Sequence, residues 1–179
     1  KYAFKLDGGV IDGNGHELEM KCNGDDYGIM TSGGTIKNLT INCTSTSYVE
    51  RGINYNDDGA LVLNNVTVKG TNVTYALNLP GSSDNCVVTI TDSSFTGNIA
   101  LNVWGANSTI TANNSVFTSV DKTTAEGYVA ISLNNDGAGN AATGAVVTVN
   151  GGKITGNRAF WMQAAGSNAN NAPVISLIV

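Results

Sequence analysis

One short phrase recurs along the chain. It reads GIM at Gly28–Met30, GIN at Gly52–Asn54, ALN at Ala76–Asn78 and at Ala100–Asn102, AIS at Ala130–Ser132 and AFW at Ala159–Trp161. Its central residues, Ile29, Ile53, Leu77, Leu101, Ile131 and Phe160, stand 24, 24, 24, 30 and 29 residues apart. A small residue precedes every one of them, which predicts a tight place repeated in register. A near-constant step of this size, carried by short strands, describes a solenoid in which each coil rests on the last.

A second phrase lies between copies of the first. It reads IKNLTI (Ile36–Ile41), LNNVTV (Leu63–Val68), ITDSSF (Ile90–Phe95), ANNSVF (Ala112–Phe117) and VNGGKI (Val149–Ile154), with a longer opening version, IDGNGHEL, at Ile11–Leu18. Each copy has an apolar residue, a polar or glycine pair suited to a turn, and a short strand. The alternation Ile53-x-Tyr55, Leu77-x-Leu79 and Leu101-x-Val103 sends apolar groups to one side and Asn54, Asn78 and Asn102 to the other. Coils stacked at about 4.8 Å turn those asparagines into a ladder, with two readings: amides hydrogen-bonded along the stack, or amides that grip glycan hydroxyls. The extra residues of the longer steps fall at Ser119–Gly127 and Asn134–Gly144, read as loops pushed out of a regular coil.

Composition narrows the alternatives. Leucine is too scarce for a leucine-rich repeat, and an antiparallel sandwich has no reason to repeat one phrase at constant separation. Charged residues are 13% of the chain, about half the usual share, so the surface lacks the Lys, Glu and Arg of exposed helices. A net charge of −5 argues against a nucleic-acid surface. No apolar run is long enough to span a membrane as a helix. Asparagine, at 24 residues, and glycine, at 22, supply the corners. The cysteines Cys22, Cys43 and Cys86 are odd in number and lack metal-ligand spacing. Buried thiols and a Cys22–Cys43 disulfide are the two readings.

GGVIDGNGHELEM at Gly8–Met20 resembles the opening coil of right-handed parallel β-helix proteins, the pectate-lyase-like superfamily with its secreted bacterial repeat proteins. NLTI (Asn38–Ile41), NVTV (Asn65–Val68), SSFTGN (Ser93–Asn98) and GGKITGN (Gly151–Asn157) resemble the recurring coil phrases of that family. The resemblance spans nearly the whole chain. It implies an all-β, right-handed parallel β-helix of about six to seven coils, one domain over residues 1–179, as the mature part or a piece of a longer chain. The fold hosts lyases, hydrolases, adhesins and passive stalks, so it leaves activity open.

Three sets of residues carry the candidate chemistry. Asp25 and Asp26, with His16, form the alternative catalytic set, since paired carboxylates can serve as acid and base on a sugar. Gly24-Asp25-Asp26 resembles the GDD motif of the polygalacturonase branch. The further upstream Asp, the following histidine and the R-x-K pair of that branch are not recognisable here. Asp57, Asp58 and Asp136 lie in oxygen-rich turns, NDDG and NNDG, that could hold Ca²⁺ without the alternating ligands of an EF-hand. No other cofactor is expected. Tyr55, Trp104 and Trp161 offer rings to sugar faces, and Asn54, Asn78 and Asn102 offer amides to hydroxyls.

The reading favoured by these residues is a non-catalytic extracellular repeat domain, secreted or on a bacterial cell surface, acting in adhesion, display or glycan contact. Its partner would be a polysaccharide or a host or cell-surface glycan, with neither nucleic acid nor membrane insertion, and its ends would pack on further domains. The rival is a polysaccharide lyase or glycoside hydrolase of the same superfamily. Acids converging with a base in one groove would favour the rival, and acids scattered on separate corners would count against it.

Overall fold

The anchors of the first phrase sit one above another on neighbouring strands. The computed structural model describes residues 2–21, 24–44, 49–57, 59–70, 72–120, 128–134, 142–163 and 172–179. The strands of the first coils are β1 (Tyr2–Leu6), β2 (Val10–Asp12), β3 (Glu17–Met20), β4 (Gly24–Thr31), β5 (Gly34–Cys43), β6 (Val49–Tyr55), β7 (Ala60–Gly70) and β8 (Val73–Leu79). There follow β9 (Val87–Thr91), β10 (Ser94–Gly97), β11 (Ile99–Val103), β12 (Thr109–Asn113), β13 (Val116–Ser119) and β14 (Val129–Leu133). The last are β15 (Val146–Asn150), β16 (Lys153–Thr155), β17 (Phe160–Met162) and β18 (Val174–Ile178).

These strands make two sheets, and the strand pairs in both are parallel. The first runs β1-β4-β6-β8-β11-β14-β17 and carries the first phrase. The second carries the other phrase, bent at its corner. In β5 and β7 the strand continues through the bend, whereas later coils break there into β9 and β10, β12 and β13, and β15 and β16. So β7 pairs with β9 through Ala60–Asn64 and with β10 through Thr67 and Val68. The chain is an all-β parallel solenoid.

The bend has a simple chemical cause. The third residue of each second phrase, Asn38, Asn65, Asp92, Asn114 or Gly151, has a positive φ of 52°, 52°, 48°, 49° or 66°. Left-handed backbone costs an ordinary L-residue about 1–2 kcal/mol, and Asn, Asp and Gly tolerate it best. The side chains add bonds between coils: Asn65 Nδ2 donates to Asn38 Oδ1 at 3.0 Å, and Asn38 Nδ2 to Asp12 Oδ1 at 3.1 Å. Asn65→Ala should therefore destabilise the fold by about 1–2 kcal/mol in chemical denaturation. Asn65→Gly, which keeps the backbone and loses only the amide bond, should cost less. Equal losses for the two variants would place the effect in the amide rather than the backbone.

Two interior columns of the second sheet are apolar throughout. One rises from Ile11 through Ile36, Leu63 and Ile90 to Ala112 and Val149. Another joins Ile41, Val68, Phe95, Phe117 and Ile154, with Phe95 and Phe117 stacked at 5.7 Å and 14°. Buried serines tie these coils together, Ser93 Oγ accepting from Val66 N at 3.0 Å and Ser115 Oγ from Ser93 N at 3.2 Å. The small residue before each anchor is also explained. A Cβ on Gly52 would stand 2.5 Å from Val68 Cγ1 and 2.8 Å from the Ala76 carbonyl oxygen, and Ala76, Ala100 and Ala130 are wholly buried.

Of the two proposed insertions, residues 121–127 and 135–141 lie outside the described residues. Cys22 does too, so the Cys22–Cys43 disulfide falls outside the description. Cys43 and Cys86 are buried, and Cys86 Sγ donates to the carbonyls of Ser83 at 2.9 Å and Asp57 at 3.2 Å.

Candidate functional site

The asparagine ladder exists, and its amides bond to one another. Asn78 Nδ2 donates to Asn54 Oδ1 at 2.8 Å, and Asn102 Nδ2 donates to Asn78 Oδ1 at 2.7 Å. All three residues are at most 2% exposed, so their amides face one another and not solvent. Alternation correctly separates them from the apolar side, but β8 and β11 are buried on both faces around the phrase. Of the two readings of the ladder, the geometry is that of amides bonded along the stack, and the reading in which they grip hydroxyls is corrected. Asn102 Oδ1 ends the ladder without a hydrogen-bond partner among the described residues.

The aromatic candidates are likewise drawn into intramolecular contacts. Tyr55 is fully buried, and its hydroxyl donates to the Gly59 carbonyl. It is corrected from a sugar platform to a core residue. Trp104 is half-buried and meets Tyr75 edge to face, with centroids 5.9 Å apart. Trp161 continues the ladder column below Ser132 and is half-buried, with the Arg158 guanidinium 4.7 Å from its ring centre. On the same sheet, Arg51 lies 4.6 Å from the ring centre of Tyr27. These rings keep an exposed part, but each already has a neighbour on one side.

The acids divide among separate corners. His16 is exposed in the turn between β2 and β3, which belong to the second sheet. The backbone of Asp25 and Asp26 belongs to β4 in the first sheet, and their side chains lie outside the description. Asp57 is exposed just beyond β6, whereas Asp58 and Asp136 are outside the described residues. Among the described residues, no three His, Cys, Asp or Glu side chains gather as a metal cluster.

Along the opening coil the carboxylates hold the next coil. Asp7 pairs with Lys5 at 2.7 Å and accepts from Ser32 Oγ at 2.9 Å. Asp12 accepts from the Asn14 backbone N–H at 3.0 Å, from Asn38 Nδ2 at 3.1 Å and from Lys37 Nζ at 3.0 Å. Glu17 accepts from Asn42 Nδ2 at 2.7 Å and faces Lys69 Nζ at 3.0 Å. Further on, Asp84 Oδ1 accepts from Ala106 N at 2.7 Å. Lys37 and Lys69 thus reach the acids of the opening coil from two successive coils.

These bonds lower the acids' pKa values. The Asn14 N–H, then Asn38 and Lys37, push Asp12 down to about 2. Lys5 and then Ser32 lower Asp7, and Asn42 and then Lys69 lower Glu17. A carboxylate depressed in the folded state supports folding above its unfolded pKa of about 4 and loses that support as pH falls toward its folded value. Stability should accordingly decline between pH 4 and 2, beginning in the opening coil. Carboxyl ¹³C titration should give Asp12 a midpoint near 2. A midpoint near the ordinary value of about 3.9 would contradict the bonding described.

Two adjoining polar clefts were not foreseen. Lys5, Asp7, Met30, Thr31, Ser32, Asn56 and Asp57 line one of about 220 Å³. Asn56 and Asp57 also line the next, of about 390 Å³, with Ser82, Ser83, Asp84 and Asn85. Both lie just after strands of the first sheet, where the repeated phrase gives way to polar residues, and that succession was the available signal. They bring Asp57 and Asp84 to one cleft with no histidine, lysine or arginine beside them in its lining. No helix is long and apolar enough to cross a membrane, among the described residues. Comparison with family models, with curated proteins and with solved structures finds no match.

Proposed function

We propose that the chain is a non-catalytic repeat domain, a right-handed parallel β-helix of six to seven coils that serves for display or adhesion in a secreted or bacterial cell-surface setting. The supporting observation is where its polar chemistry is spent. The ladder amides, the corner asparagines and the acids of the opening coil bond one coil to another. A scaffold of this kind holds a surface at a fixed distance and orientation, with stability that accumulates from coil to coil. Polysaccharide or cell-surface glycan is the partner class, met through side chains outside the buried ladder, with the exposed parts of Trp104 and Trp161 as the contact rings.

A glycan array followed by a degradation assay tests this reading. Polysaccharides, uronate polymers included, should yield neither unsaturated nor reducing sugar on incubation with the chain, with or without Ca²⁺. Release of either product would overturn the non-catalytic reading in favour of a lyase or hydrolase.

A further inference from the structure

Ser83 differs from Ser93, Ser115 and Ser119, which are also buried. Ser93 Oγ donates to the Thr91 carbonyl at 2.7 Å, Ser115 Oγ to that of Asn113 at 2.8 Å and Ser119 Oγ to that of Asn98 at 2.9 Å. Ser83 is 2% exposed, and its Oγ has no hydrogen-bond partner among the described residues. Its backbone groups are both engaged, the N–H donating to the Pro80 carbonyl at 3.0 Å and the carbonyl accepting from Cys86 Sγ at 2.9 Å. Only the hydroxyl is left over, and a buried polar group without a partner is costly.

Ser83 lines the larger polar cleft, of about 390 Å³, so an occupant of that cleft can supply the partner. The rest of the lining is Asn56 and Asp57, from the turn after β6, with Ser82, Asp84 and Asn85, from the turn after β8 one coil on. Each of these side chains carries oxygen, two of them as carboxylates, and the lining holds neither a basic residue nor an aromatic ring. A neutral sugar would find no ring to lie on. A water molecule would satisfy Ser83 and leave the two negative charges uncompensated. A hard divalent cation answers both needs, since Ca²⁺ takes about 6–8 oxygen ligands, carboxylates and amide carbonyls among them.

The two turns are held in place before any ligand arrives. Asn56 N–H donates to the Thr31 carbonyl at 2.8 Å, and Asn85 N–H to that of Ala106 at 2.7 Å. Cys86 Sγ reaches the carbonyls of both Asp57, at 3.2 Å, and Ser83, and so ties one turn to the other. Asp84 Oδ1 accepts from Ala106 N at 2.7 Å, which fixes that carboxylate to a third coil and leaves Oδ2 for a ligand. In the adjoining cleft, Lys5 is paired with Asp7 at 2.7 Å.

We infer that this cleft is a Ca²⁺ site, with Asp57 and Asp84 as its charged ligands and the Ser83 hydroxyl as its buried one. It differs from a site built on the NDDG turn alone, because it joins Asp57 to an acid of the next coil. A cation held there bridges the turn after β6 and the turn after β8, and so fastens one coil to the next.

Calorimetric titration of the EDTA-treated 179-residue chain with Ca²⁺ tests this directly, alongside thermal melts in Ca²⁺ and in EDTA. Wild type should bind Ca²⁺ saturably, and its melting temperature should rise with Ca²⁺ concentration. Asp57→Asn and Asp84→Asn should each weaken binding about tenfold or more, by removing a ligand charge. Both residues are exposed, so both variants should melt close to wild type in EDTA. Ser83→Ala, with both carboxylates intact, should weaken binding about threefold or more. A wild-type chain that takes up no Ca²⁺ at about 10 mM, beyond the range of even weak extracellular sites, overturns the proposal. So does binding that the two Asp variants leave unchanged, which would put the ion elsewhere on the chain. Unchanged affinity in Ser83→Ala overturns it as well, since the buried hydroxyl is what marks the cleft as a site.

Discussion

Asn78→Leu is expected to remove about 2–5 kcal/mol of folding stability, although leucine has the same number and branching of side-chain heavy atoms as asparagine. The middle rung is both donor and acceptor: Asn78 Nδ2 bonds Asn54 Oδ1, and Asn78 Oδ1 receives Asn102 Nδ2. Its loss leaves an acceptor on Asn54 and a donor on Asn102 without these partners in a place that is at most 2% exposed. Each buried polar group left unsatisfied costs about 1–3 kcal/mol. Urea denaturation would measure the change, with Thr89→Ala as a control on an exposed strand position, expected within about 0.5 kcal/mol of wild type. A leucine variant as stable as the control would mean that the amides contribute nothing net.

Phe95→Ala should cost about 3–5 kcal/mol, through lost burial and the cavity it leaves. Phe95 is fully buried between Val68 of the coil above and the stacked ring of Phe117 below. The rings share one column, so Phe117→Ala made in the same chain should not add independently. A loss below about 1 kcal/mol for Phe95→Ala would contradict a packed interior column. The two substitutions probe different forces, apolar packing inside and polar bonding along the ladder, and together they ask what holds one coil on the next.

Much of the architecture could be read from spacing. Anchors at a constant 24-residue step become Ile29, Ile53, Leu77 and Leu101 stacked in one sheet, because equal coil lengths return the chain to the same column. The small residue before each anchor announced a close approach, and the Gly52 contacts show one. The bend, too, had its signal in the invariably Asn, Asp or Gly third residue of the second phrase.

The functional residues were harder to read, for a physical reason. A period-two pattern tells which side chains share a face and says nothing about what covers that face. Asn54, Asn78 and Asn102 therefore looked alike as surface ligands or buried rungs until their exposure was known. Tyr55 follows the apolar side of its strand, so the alternation already places its ring inward. The polar clefts depend on turns from successive coils coming together, as Asn56 and Asp57 do with Ser82–Asn85. Such proximity arises from coil length and leaves no local motif.

The central claim is that equivalent positions of successive coils stack in parallel register. NMR contacts between Thr89, Thr111 and Thr148 test it most directly, because these three form one column of β9, β12 and β15. The structure requires backbone contacts from Thr89 to Thr111 and from Thr111 to Thr148, in the parallel pattern along all three strands. Close Hα–Hα contacts of the antiparallel kind, which arise where Cα atoms approach to about 4.5 Å, or a shift of either strand by even one residue, would contradict it.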